Sequence, residues 1–244
     1  MHKILFPVLA VLLLMGCSAT ESVVEREPVS VSEQEIETAA LSDDPEIAAR
    51  LDQYRDRYNR EMGIRIAELT APAVFDKPEG ALGNMAADAI RYRAMLEARK
   101  YVHIGVMGGD SFRLNFNEGE LTLGEIYEFM PYENHLVLIQ MKGSTVIKLS
   151  NQIAERNGEP ISGLRLRFDN GEARSILVNS EVVNPDKLYW LATSNYYADR
   201  GGSLPALTEY DERIDYEDLS IRQLYVDYFR NLRVIEPATD GRIQ

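Results

Sequence analysis

The pattern of apolar and polar residues along the chain predicts a mixture of helices and strands. Apolar residues at helical spacing predict helices in four stretches, DDPEIAARLDQYRDRYNREMG, GALGNMAADAIRYRAMLEARK, STVIKLSNQIAERNG and SIRQLYVDYFRNL. Alternating or continuous apolar runs predict strands in IRIAELTAPAV, YVHIGVM, HLVLIQMKG, GLRLRFD, ARSILV and KLYWLATSNYY. Because strands and helices do not alternate strictly, the pattern favours an α+β fold, in which helices pack on a mixed β-sheet.

Residues typical of helix ends mark where these helices start and stop. Asp44 is a candidate N-cap and is followed by Pro45 at the first helical position. A further short helix in LTLGEIYEFMPY is predicted to begin after Thr122 and to end before Pro131, and Gly158 closes the third long helix. The apolar positions of the first helix are Ile47, Leu51, Tyr54 and Tyr58. Those of the second helix, which form its inner stripe, are Leu82, Met85, Ala86, Ala89, Ile90 and Met95.

Composition and charge narrow the class of protein. The chain has 244 residues, of which 45% are hydrophobic, so it can form one domain with a real core. Its formal net charge is -13 at pH 7. Because binding to a nucleic-acid backbone needs a basic face, this charge argues against nucleic acid as a partner. Cys17 is the only cysteine, which excludes an intramolecular disulfide.

The N-terminus has the pattern of an export signal. Lys3 is followed by an apolar run over residues 4–15, which is too short to cross a bilayer of about 30 Å as a helix. The sequence LLMGC at its end resembles a bacterial lipobox, in which cleavage leaves a lipid-modified Cys17 as the new N-terminus. We therefore expect an exported protein anchored by lipid at a bacterial cell-envelope membrane. An ordinary signal peptide with a chance cysteine is the alternative.

An acidic segment follows the cysteine. Between Ser18 and Glu46 it carries nine acidic residues, a single basic residue and no aromatic residue, so it can bury little surface. This composition predicts a disordered tether. The expected organisation is a lipoprotein signal peptide over residues 1–17, a tether over residues 18–45 and one folded domain over residues 46–244.

Few residues offer hydrolytic chemistry. The histidines are His2 in the signal segment, His103 in a strand where a structural role is favoured, and His135. An Asn-His pair such as Asn134-His135 can belong to a two-metal phosphatase, but the additional histidines of such a site are missing. The sequence has no G-x-S-x-G elbow and no Walker loop. We therefore expect no catalytic residue, no metal ligand and no cofactor in this chain.

Three loops combine small, polar and aromatic residues in a way that is typical of a binding site. They are MGGDSFR, MPYENH and SNYYADRGGS. Arg113 offers a planar donor fork suited to phosphate or carboxylate, and the rings of Tyr132 and Tyr197 can stack on a base. Asn134 offers both a donor and an acceptor to a base edge. Taken singly, either tyrosine is more typical of packing than of binding.

In this order the loops resemble the C-terminal domain of the 5'-nucleotidase family. Six stretches carry the resemblance, namely LGNMAADAI, VMGGDSFR, GELTLGEIYEFMPYENHLVLIQMKGSTV, SGLRLRFD, LATSNYYADRGG and EPATDGRI. They lie within residues 64–243, which is nearly all of the predicted domain. In that family the C-terminal domain carries the substrate-recognition pocket, while a separate N-terminal metallophosphatase domain carries two metals.

The resemblance implies a substrate-binding role for several side chains. Arg113 matches the arginine that reaches the substrate phosphate or sugar from the glycine loop. Tyr132 and Tyr197 match the two aromatic residues that stack on the base, and Asn134 matches the asparagine beside it. Asn84 matches the polar residue of the LGN block near the pocket.

The glycine pairs of two loops belong to the same resemblance. Gly108 and Gly109 would let the backbone approach the nucleotide, and Gly201 and Gly202 would shape the loop at its ribose. Two residues depart from the family pattern. Asp110 brings a negative charge into the glycine loop, close to the expected phosphate. Ser203, which is also expected to bind substrate, replaces an aspartate that contacts ribose hydroxyls and offers only one neutral oxygen.

Because no metallophosphatase domain precedes the matching region, three functions stay open. In the first, the chain is the substrate-recognition half of a split 5'-nucleotidase, and a separate exported metallophosphatase subunit supplies the divalent metals. In the second, it is a lipid-anchored binding protein for a nucleotide or nucleoside, without catalysis. In the third, it is a scaffold domain that has lost its ligand. The expected partners are therefore a nucleotide or nucleoside, a metallophosphatase subunit, and a membrane reached through the N-terminal lipid.

Overall fold

The structure, a computed structural model, describes residues 44–244. The predicted signal peptide, the predicted lipidation site Cys17 and nearly all of the predicted tether lie outside these residues. The described residues form six α-helices: α1 (Pro45–Met62), α2 (Ala81–Ala98), α3 (Leu123–Phe129), α4 (Gly143–Glu155), α5 (Asn195–Arg200) and α6 (Ile221–Leu232). None of these helices is both long and apolar enough to cross a membrane.

The β-strands of the same residues form three sheets. They are β1 (Arg65–Leu69), β2 (Ile104–Val106), β3 (Gly119–Thr122), β4 (His135–Lys142), β5 (Ile161–Ser162), β6 (Leu164–Asp169), β7 (Glu172–Val178), β8 (Glu181–Val182), β9 (Leu188–Ser194), β10 (Glu212–Ser220) and β11 (Val234–Ile235). The strand orders are β10-β4-β9-β2-β5 in the five-stranded central sheet, β11-β1-β3 in the second sheet and β6-β7-β8 in the third. Parallel and antiparallel pairs coexist, and helices pack on the sheets, which confirms the predicted α+β fold class.

The central sheet brings the three predicted loops to one edge. β2 and β9 run parallel, with Ile104 opposite Leu191, so both strands end on the same side of the sheet. β4 runs antiparallel to β9, with Leu136 opposite Ser194, so β4 starts where β9 ends. The loops that follow β2 and β9 and the loop that precedes β4 therefore meet. The topology alone places Arg113, Tyr132 and the start of α5 near one another.

Most of the predicted helices form as expected. α2 faces the core with its predicted stripe, of which Leu82, Ala86, Ala89 and Ile90 are fully buried and Met85 and Met95 are partly buried. α4 ends where the Gly158 amide donates to the Ile153 carbonyl at 2.8 Å, with Gly158 in the left-handed region at a φ of 100°. α6 starts after Ser220, whose hydroxyl accepts from the Gln223 amide at 3.4 Å.

α3 is a short helix fixed at its start by a capping box. The Thr122 hydroxyl accepts a hydrogen bond from the Glu125 amide at 3.3 Å, and the Glu125 carboxylate accepts one from the Thr122 amide at 2.8 Å. The helix ends at Phe129, shortly before Pro131, as the sequence predicts. Because Ile126 and Phe129 are fully buried, the helix packs against the core directly before the loop that carries Tyr132.

α1 forms as predicted but packs differently from the other long helices. Its start is capped by Asp44, whose carboxylate accepts a hydrogen bond from the Glu46 amide at 2.9 Å. The helix contains no buried residue. Its four apolar positions, Ile47, Leu51, Tyr54 and Tyr58, are all more than half exposed. The apolar face that the sequence pattern indicates is therefore present but open to solvent.

At the central sheet one predicted strand end was wrong, and the edge strand β10 was missed. The strand predicted in KLYWLATSNYY ends at Ser194, because the Asn195 side chain accepts the His135 amide at 3.0 Å and the chain then turns into α5. The stretch after Tyr210 carried no predicted strand, yet it forms β10 on the edge of the sheet. Its many charged residues hid the pattern, since only Ile214 and Tyr216 among its first residues pack against the core.

Candidate functional site

A cavity of about 290 Å³ opens where the three loops meet at the edge of the central sheet. Its walls come from the loop after β2, the loop before β4 and helix α5. The lining residues are Asp110, Ser111, Arg113, Tyr132, Asn134, Tyr196 and Tyr197. Four of the six residues that the sequence predicted to bind substrate thus border one cavity, although these residues lie up to 84 positions apart in the chain.

Arg113 and Tyr132 form one wall of the cavity. The Arg113 Nε donates to the Tyr132 hydroxyl oxygen at 2.8 Å, and one of the terminal guanidinium nitrogens donates to the same oxygen. The guanidinium carbon lies 5.4 Å from the centre of the Tyr132 ring. Both side chains are exposed, so the guanidinium can still bind a ligand anion and the ring still has an accessible face.

Residues of α6 fix the backbone of the loop that carries Tyr132 and Asn134. The Arg222 side chain donates to the carbonyl oxygens of Met130 at 2.9 Å and Pro131 at 2.8 Å. The Ile221 amide donates to the Asn134 carbonyl at 2.8 Å. These bonds use the backbone of the loop, which leaves the Asn134 amide side chain at the cavity wall.

Tyr197 borders the cavity from behind its wall, and its side chain lies in the interior of the protein. Its ring is 0% exposed. Its hydroxyl donates to the Asp110 carboxylate and lies 2.9 Å from the Ser111 hydroxyl. Burial and the hydrogen bond to Asp110 raise the pKa of Tyr197, so the phenol stays protonated. The prediction that Tyr197 stacks on a base is therefore corrected, because neither face of its ring is accessible.

Tyr196 is the tyrosine that faces the cavity, and the sequence reasoning missed it. It borders the cavity with 41% of its surface exposed, and its ring lies edge-on to Tyr197 at 5.2 Å between centres. Because successive side chains on a helix are about 100° apart, only one of two adjacent tyrosines on α5 can face inward. The paired letters YY were the only available signal, and they did not say which ring is exposed.

The two glycines after β2 accommodate the protein's own rings. A Cβ added at Gly108 would collide with the Tyr197 hydroxyl, and one added at Gly109 would collide with the Phe75 ring. The sequence indicated that something approaches the backbone closely, and the structure shows side chains of this chain in that position. The expectation that Gly108 and Gly109 make room for a nucleotide is therefore corrected.

A buried carboxylate holds the glycine loop in place. Glu159, with a side chain only 1% exposed, accepts the Gly109 amide at 2.7 Å. It also accepts the Arg156 Nε at 2.6 Å and the Lys77 ammonium at 3.3 Å. An amide that would otherwise suit a ligand anion is thus already bonded to a protein carboxylate.

Two predicted substrate-binding residues do not line the cavity. Asn84 is 5% exposed, and its side-chain amide donates to Glu79 at 2.7 Å and to the Ala238 carbonyl at 3.3 Å. It joins the start of α2 to the C-terminal segment, which corrects its predicted place near the pocket. The Ser203 hydroxyl is buried without a hydrogen-bond partner among residues 44–244 and does not border the cavity either.

The second glycine pair ends α5. The Gly201 amide donates to the Tyr197 carbonyl at 2.8 Å, and both Gly201 and Gly202 have positive φ angles, of 70° and 52°. A Cβ at Gly202 would lie 2.8 Å from the Tyr197 ring. These glycines therefore set the turn that fixes Tyr196 and Tyr197.

The two histidines of the folded region each contact a neighbouring strand of the central sheet. The His103 Nδ1 accepts the Trp190 amide at 3.0 Å, as the predicted structural role implies, and burial lowers the pKa of His103. The His135 Nε2 lies 3.0 Å from Asp215, a carboxyl whose pKa is lowered by hydrogen bonds from Arg213. Among residues 44–244, no group of three or more histidine, cysteine, aspartate or glutamate side chains is arranged to hold a metal ion.

Comparison with known proteins places this chain in a family. The family model described as "5'-nucleotidase, C-terminal domain" matches residues 65–209. Protein UshA of Yersinia enterocolitica is 20% identical over 219 residues, which cover 87% of this chain and 40% of that protein. The trifunctional nucleotide phosphoesterase YfkN of Bacillus subtilis is 25% identical over 83% of this chain and 15% of that protein.

Solved structures agree with this result. The 5'-nucleotidase precursor of Thermus thermophilus superposes with a TM-score of 0.71 at 26% identity, over 82% of this chain and 43% of that structure. The NAD nucleotidase of Haemophilus influenzae, at 16% identity and a TM-score of 0.60, shares the fold. The chain spans less than half the length of each of these four proteins. The match over most of the described residues, together with the shared fold, makes this chain a member of the 5'-nucleotidase C-terminal domain family.

Proposed function

We propose that this protein is the substrate-recognition half of a split 5'-nucleotidase, which binds a nucleotide for hydrolysis by a separate metallophosphatase subunit. The observation that carries the proposal is the convergence of Arg113, Tyr132, Asn134 and Tyr196 on one cavity in a domain of this family. The cavity, at about 290 Å³, is close to the lower end of the range of about 300–1,000 Å³ for small-molecule sites.

Each side chain in the cavity offers a contact that a nucleotide needs. Tyr132 and Tyr196 have accessible rings on which a flat base stacks, and Asn134 has a donor and an acceptor for the base edge. The Arg113 guanidinium provides the only cationic group among the lining residues, and it suits an anionic phosphate. In this proposal Tyr196 takes the place that the sequence assigned to Tyr197.

The role of the recognition half is to position the substrate. Contacts to the base and sugar supply binding energy remote from the bond that breaks, and this energy orients the phosphate for reaction. The divalent metals and the attacking water belong to the partner subunit in this proposal. Residues of this chain hold the substrate and shield it from solvent, and none of them acts as acid, base or nucleophile.

A second function is favoured by one observation, namely that Asp110 borders the cavity. A carboxylate that lines the same cavity as Arg113 lowers the net positive charge there and weakens attraction for a phosphate. A nucleoside, which has no phosphate, avoids this repulsion, so a binding protein for nucleosides without catalysis is the alternative. Stronger binding of adenosine than of AMP by the purified chain would favour the alternative over the split nucleotidase.

The cellular location belongs to the proposal as well. The LLMGC sequence supports export and lipid attachment at Cys17, which would hold the domain at a bacterial cell-envelope membrane. An unmodified Cys17 in the mature protein, detected by mass spectrometry, would overturn this part of the proposal.

The split-enzyme proposal predicts activity only in the mixture. The purified chain alone should hydrolyse AMP no faster than buffer, whereas adding it to a metallophosphatase subunit from the same organism should raise the rate of AMP hydrolysis at least tenfold. We expect this increase because the pocket holds the substrate phosphate in a fixed orientation towards the metals, whereas a free substrate meets them at random. Phosphate release measures the effect. An unchanged rate and selectivity of the metallophosphatase would contradict the proposal.

The pocket predicts which tyrosines matter for binding. Tyr132→Ala and Tyr196→Ala should each weaken binding of AMP or adenosine by about 5–150-fold, because base stacking on an aromatic ring contributes about 1–3 kcal/mol. Isothermal titration calorimetry measures the change. Tyr92→Ala is the matched control, since Tyr92 is similarly exposed but lies on α2, outside the cavity. Equal affinities for all three variants would show that the cavity is not the ligand site.

A further inference from the structure

A second cavity, here called the arginine cavity, opens at the start of β2, whereas the proposed nucleotide cavity lies beyond the end of that strand. Its volume is about 290 Å³. Its wall includes Gly163, where an added Cβ would lie 2.1 Å from the His103 carbonyl oxygen, directly before β2. The charged residues of the wall are Asp88, Arg91, Arg165, Asp240 and Arg242. The two cavities share no lining residue, so a molecule bound here is distinct from the proposed substrate.

Arg91, which lies on α2, carries a charge that no carboxylate neutralises directly. Its Nε donates to the Val102 carbonyl at 3.0 Å, and one terminal nitrogen donates to the Tyr101 hydroxyl at 3.1 Å. Among residues 44–244 the other terminal nitrogen has no hydrogen-bond partner, and no carboxylate lies within ion-pair distance of the guanidinium. The side chain is half-buried in a protein with a net charge of -13. A half-buried guanidinium with only neutral partners is suited to bind an anion.

Two glycines make room for Arg91 and fix its position. A Cβ at Gly163 would lie 2.7 Å from the Arg91 Nε, and a Cβ at Gly105 would lie 2.8 Å from the Arg91 Cβ. The guanidinium therefore packs directly on the backbone of the turn between β5 and β6. Because its orientation is set by the protein itself, it loses little conformational freedom when a ligand binds.

The Ser162 hydroxyl is a second donor without a protein partner. Ser162 is 2% exposed and borders the arginine cavity. Its hydroxyl oxygen is not sealed off, and it has no hydrogen-bond partner among residues 44–244. Buried polar groups normally have a partner, since leaving one unbonded costs free energy. A ligand in the cavity would supply the missing partner.

The turn between β7 and β8 adds a donor from the opposite side of the cavity. The Asn179 side-chain oxygen accepts a hydrogen bond from the Tyr101 hydroxyl at 2.5 Å. The Asn179 side-chain nitrogen has no such partner in the described part of the chain, and Asn179 lines the cavity. Tyr101 also accepts the bond from Arg91, so one hydroxyl joins the turn to the guanidinium and holds both donors in place.

The two aspartates of the cavity are already bound to Arg242. Asp88 accepts its two terminal nitrogens at 2.9 and 3.1 Å, and Asp240 accepts its Nε at 3.0 Å. The third arginine, Arg165, lies 3.7 Å from Asp240. Three arginines and two aspartates leave one positive charge in the wall, and the geometry assigns it to Arg91. Two neighbouring carboxylates, of Glu79 beside Asp240 and of Glu181 after Ser180, do not line the cavity.

We infer that the arginine cavity binds a phosphate group, held by Arg91, Ser162 and Asn179. A phosphate carries only acceptor oxygens around one centre, which match donors that arrive from α2, β5 and the turn after β7. The cavity has room for atoms beyond the phosphate, so the ligand is a small phosphate ester or a phospholipid headgroup. This site goes beyond the proposed function and does not depend on it.

Titration with inorganic phosphate, followed by amide NMR of the purified chain, tests where phosphate binds. Shifts are expected at residues 162–164 and 179–180. Shifts confined to residues 108–113 would place the phosphate in the nucleotide cavity and overturn the inference. The absence of shifts at residues 162–164 and 179–180 up to about 10 mM phosphate would overturn it as well, since that bounds the affinity below any useful site.

Ser162→Ala separates a ligand contact from a structural role. It should weaken phosphate binding about tenfold, the effect of losing one hydrogen bond to a charged group, without lowering the melting temperature, because no protein hydrogen bond is lost. Arg91→Gln should weaken binding at least as much. Arg167→Gln is the matched control, since Arg167 is exposed on β6 outside the cavity. Equal phosphate affinities of all three variants would show adventitious ion binding only and would overturn the inference.

Adenosine and lipid vesicles complete the test. Adenosine has no phosphate, so its affinity should be the same for Ser162→Ala and the unmodified chain, and a loss would contradict two separate sites. Competition between sn-glycerol 3-phosphate and inorganic phosphate would support a soluble ester. Binding to phosphatidylglycerol vesicles that is lost in Ser162→Ala would support a lipid headgroup. Failure of both the ester and the vesicles to bind would overturn the inference.

Discussion

Replacing Tyr197 by alanine should lower the free energy of unfolding by about 3–5 kcal/mol, the range for truncating a large buried aromatic side chain. The ring is fully buried, and its hydroxyl bonds to Asp110 and lies within hydrogen-bond distance of Ser111. Its removal leaves a cavity between α5 and the glycine loop and leaves the Ser111 hydroxyl without this partner. Urea unfolding followed by circular dichroism measures the change.

Tyr196→Ala is the control for this prediction. Tyr196 is the adjacent residue and has the same side chain, but it is 41% exposed and should cost no more than about 1 kcal/mol. The same substitution should weaken ligand binding, as described above. Equal losses of stability for Tyr196→Ala and Tyr197→Ala would contradict the assignment. So would a stable Tyr197→Ala variant with weakened ligand binding, because the inner ring would then be the one that meets the ligand.

The second large effect is expected at Glu159. Glu159→Ala should lower the free energy of unfolding by about 3 kcal/mol, because it removes a buried carboxylate that joins the Gly109 amide to Arg156 and Lys77. The loss lies at the low end for a buried ion pair, since about one third of each cationic side chain is exposed and can be hydrated. Thermal and urea unfolding measure it. Binding of AMP should weaken as well, because the glycine loop carries Arg113.

Glu155→Ala provides the comparison for Glu159→Ala. Glu155 is at the end of α4, close to Glu159 in sequence, and is exposed. Its replacement should stay within about 0.5 kcal/mol of the unmodified chain. If Glu159→Ala were as stable as this control, the carboxylate would not be what holds the glycine loop.

The sequence was most informative where local chemistry decides the structure. The capping box of Thr122 and Glu125, the Asp44 cap and the closing Gly158 depend on neighbours within a few residues, so their patterns predicted the helix ends correctly. The fold class followed from the mixture of strand and helix patterns. The family resemblance brought Arg113, Tyr132 and Asn134 together before any geometry was known, and these residues do border one cavity.

The remaining errors concern contacts between distant parts of the chain. Whether Tyr196 or Tyr197 faces the cavity depends on the turn after Ser194. This turn is set by the Asn195 side chain, which accepts a hydrogen bond from the His135 amide at the start of β4. The glycine at position 108 indicates that another group lies close to the backbone there. The sequence cannot say that this group is the Tyr197 hydroxyl rather than a ligand. Asn84 is a polar residue within a matching motif, yet one of its hydrogen-bond partners, the Ala238 carbonyl, is near the other end of the chain.

β10 has a further consequence for how the protein associates. It is an edge strand of the central sheet, and on its free side the described residues offer it no neighbouring strand. Such an edge is a template for strands of other molecules, but this one carries Glu212, Asp215, Glu217 and Asp218 along its length. A foreign strand would have to desolvate or oppose these carboxylates to extend the sheet. The acidic residues thus make sheet extension from one molecule to the next unfavourable at this edge.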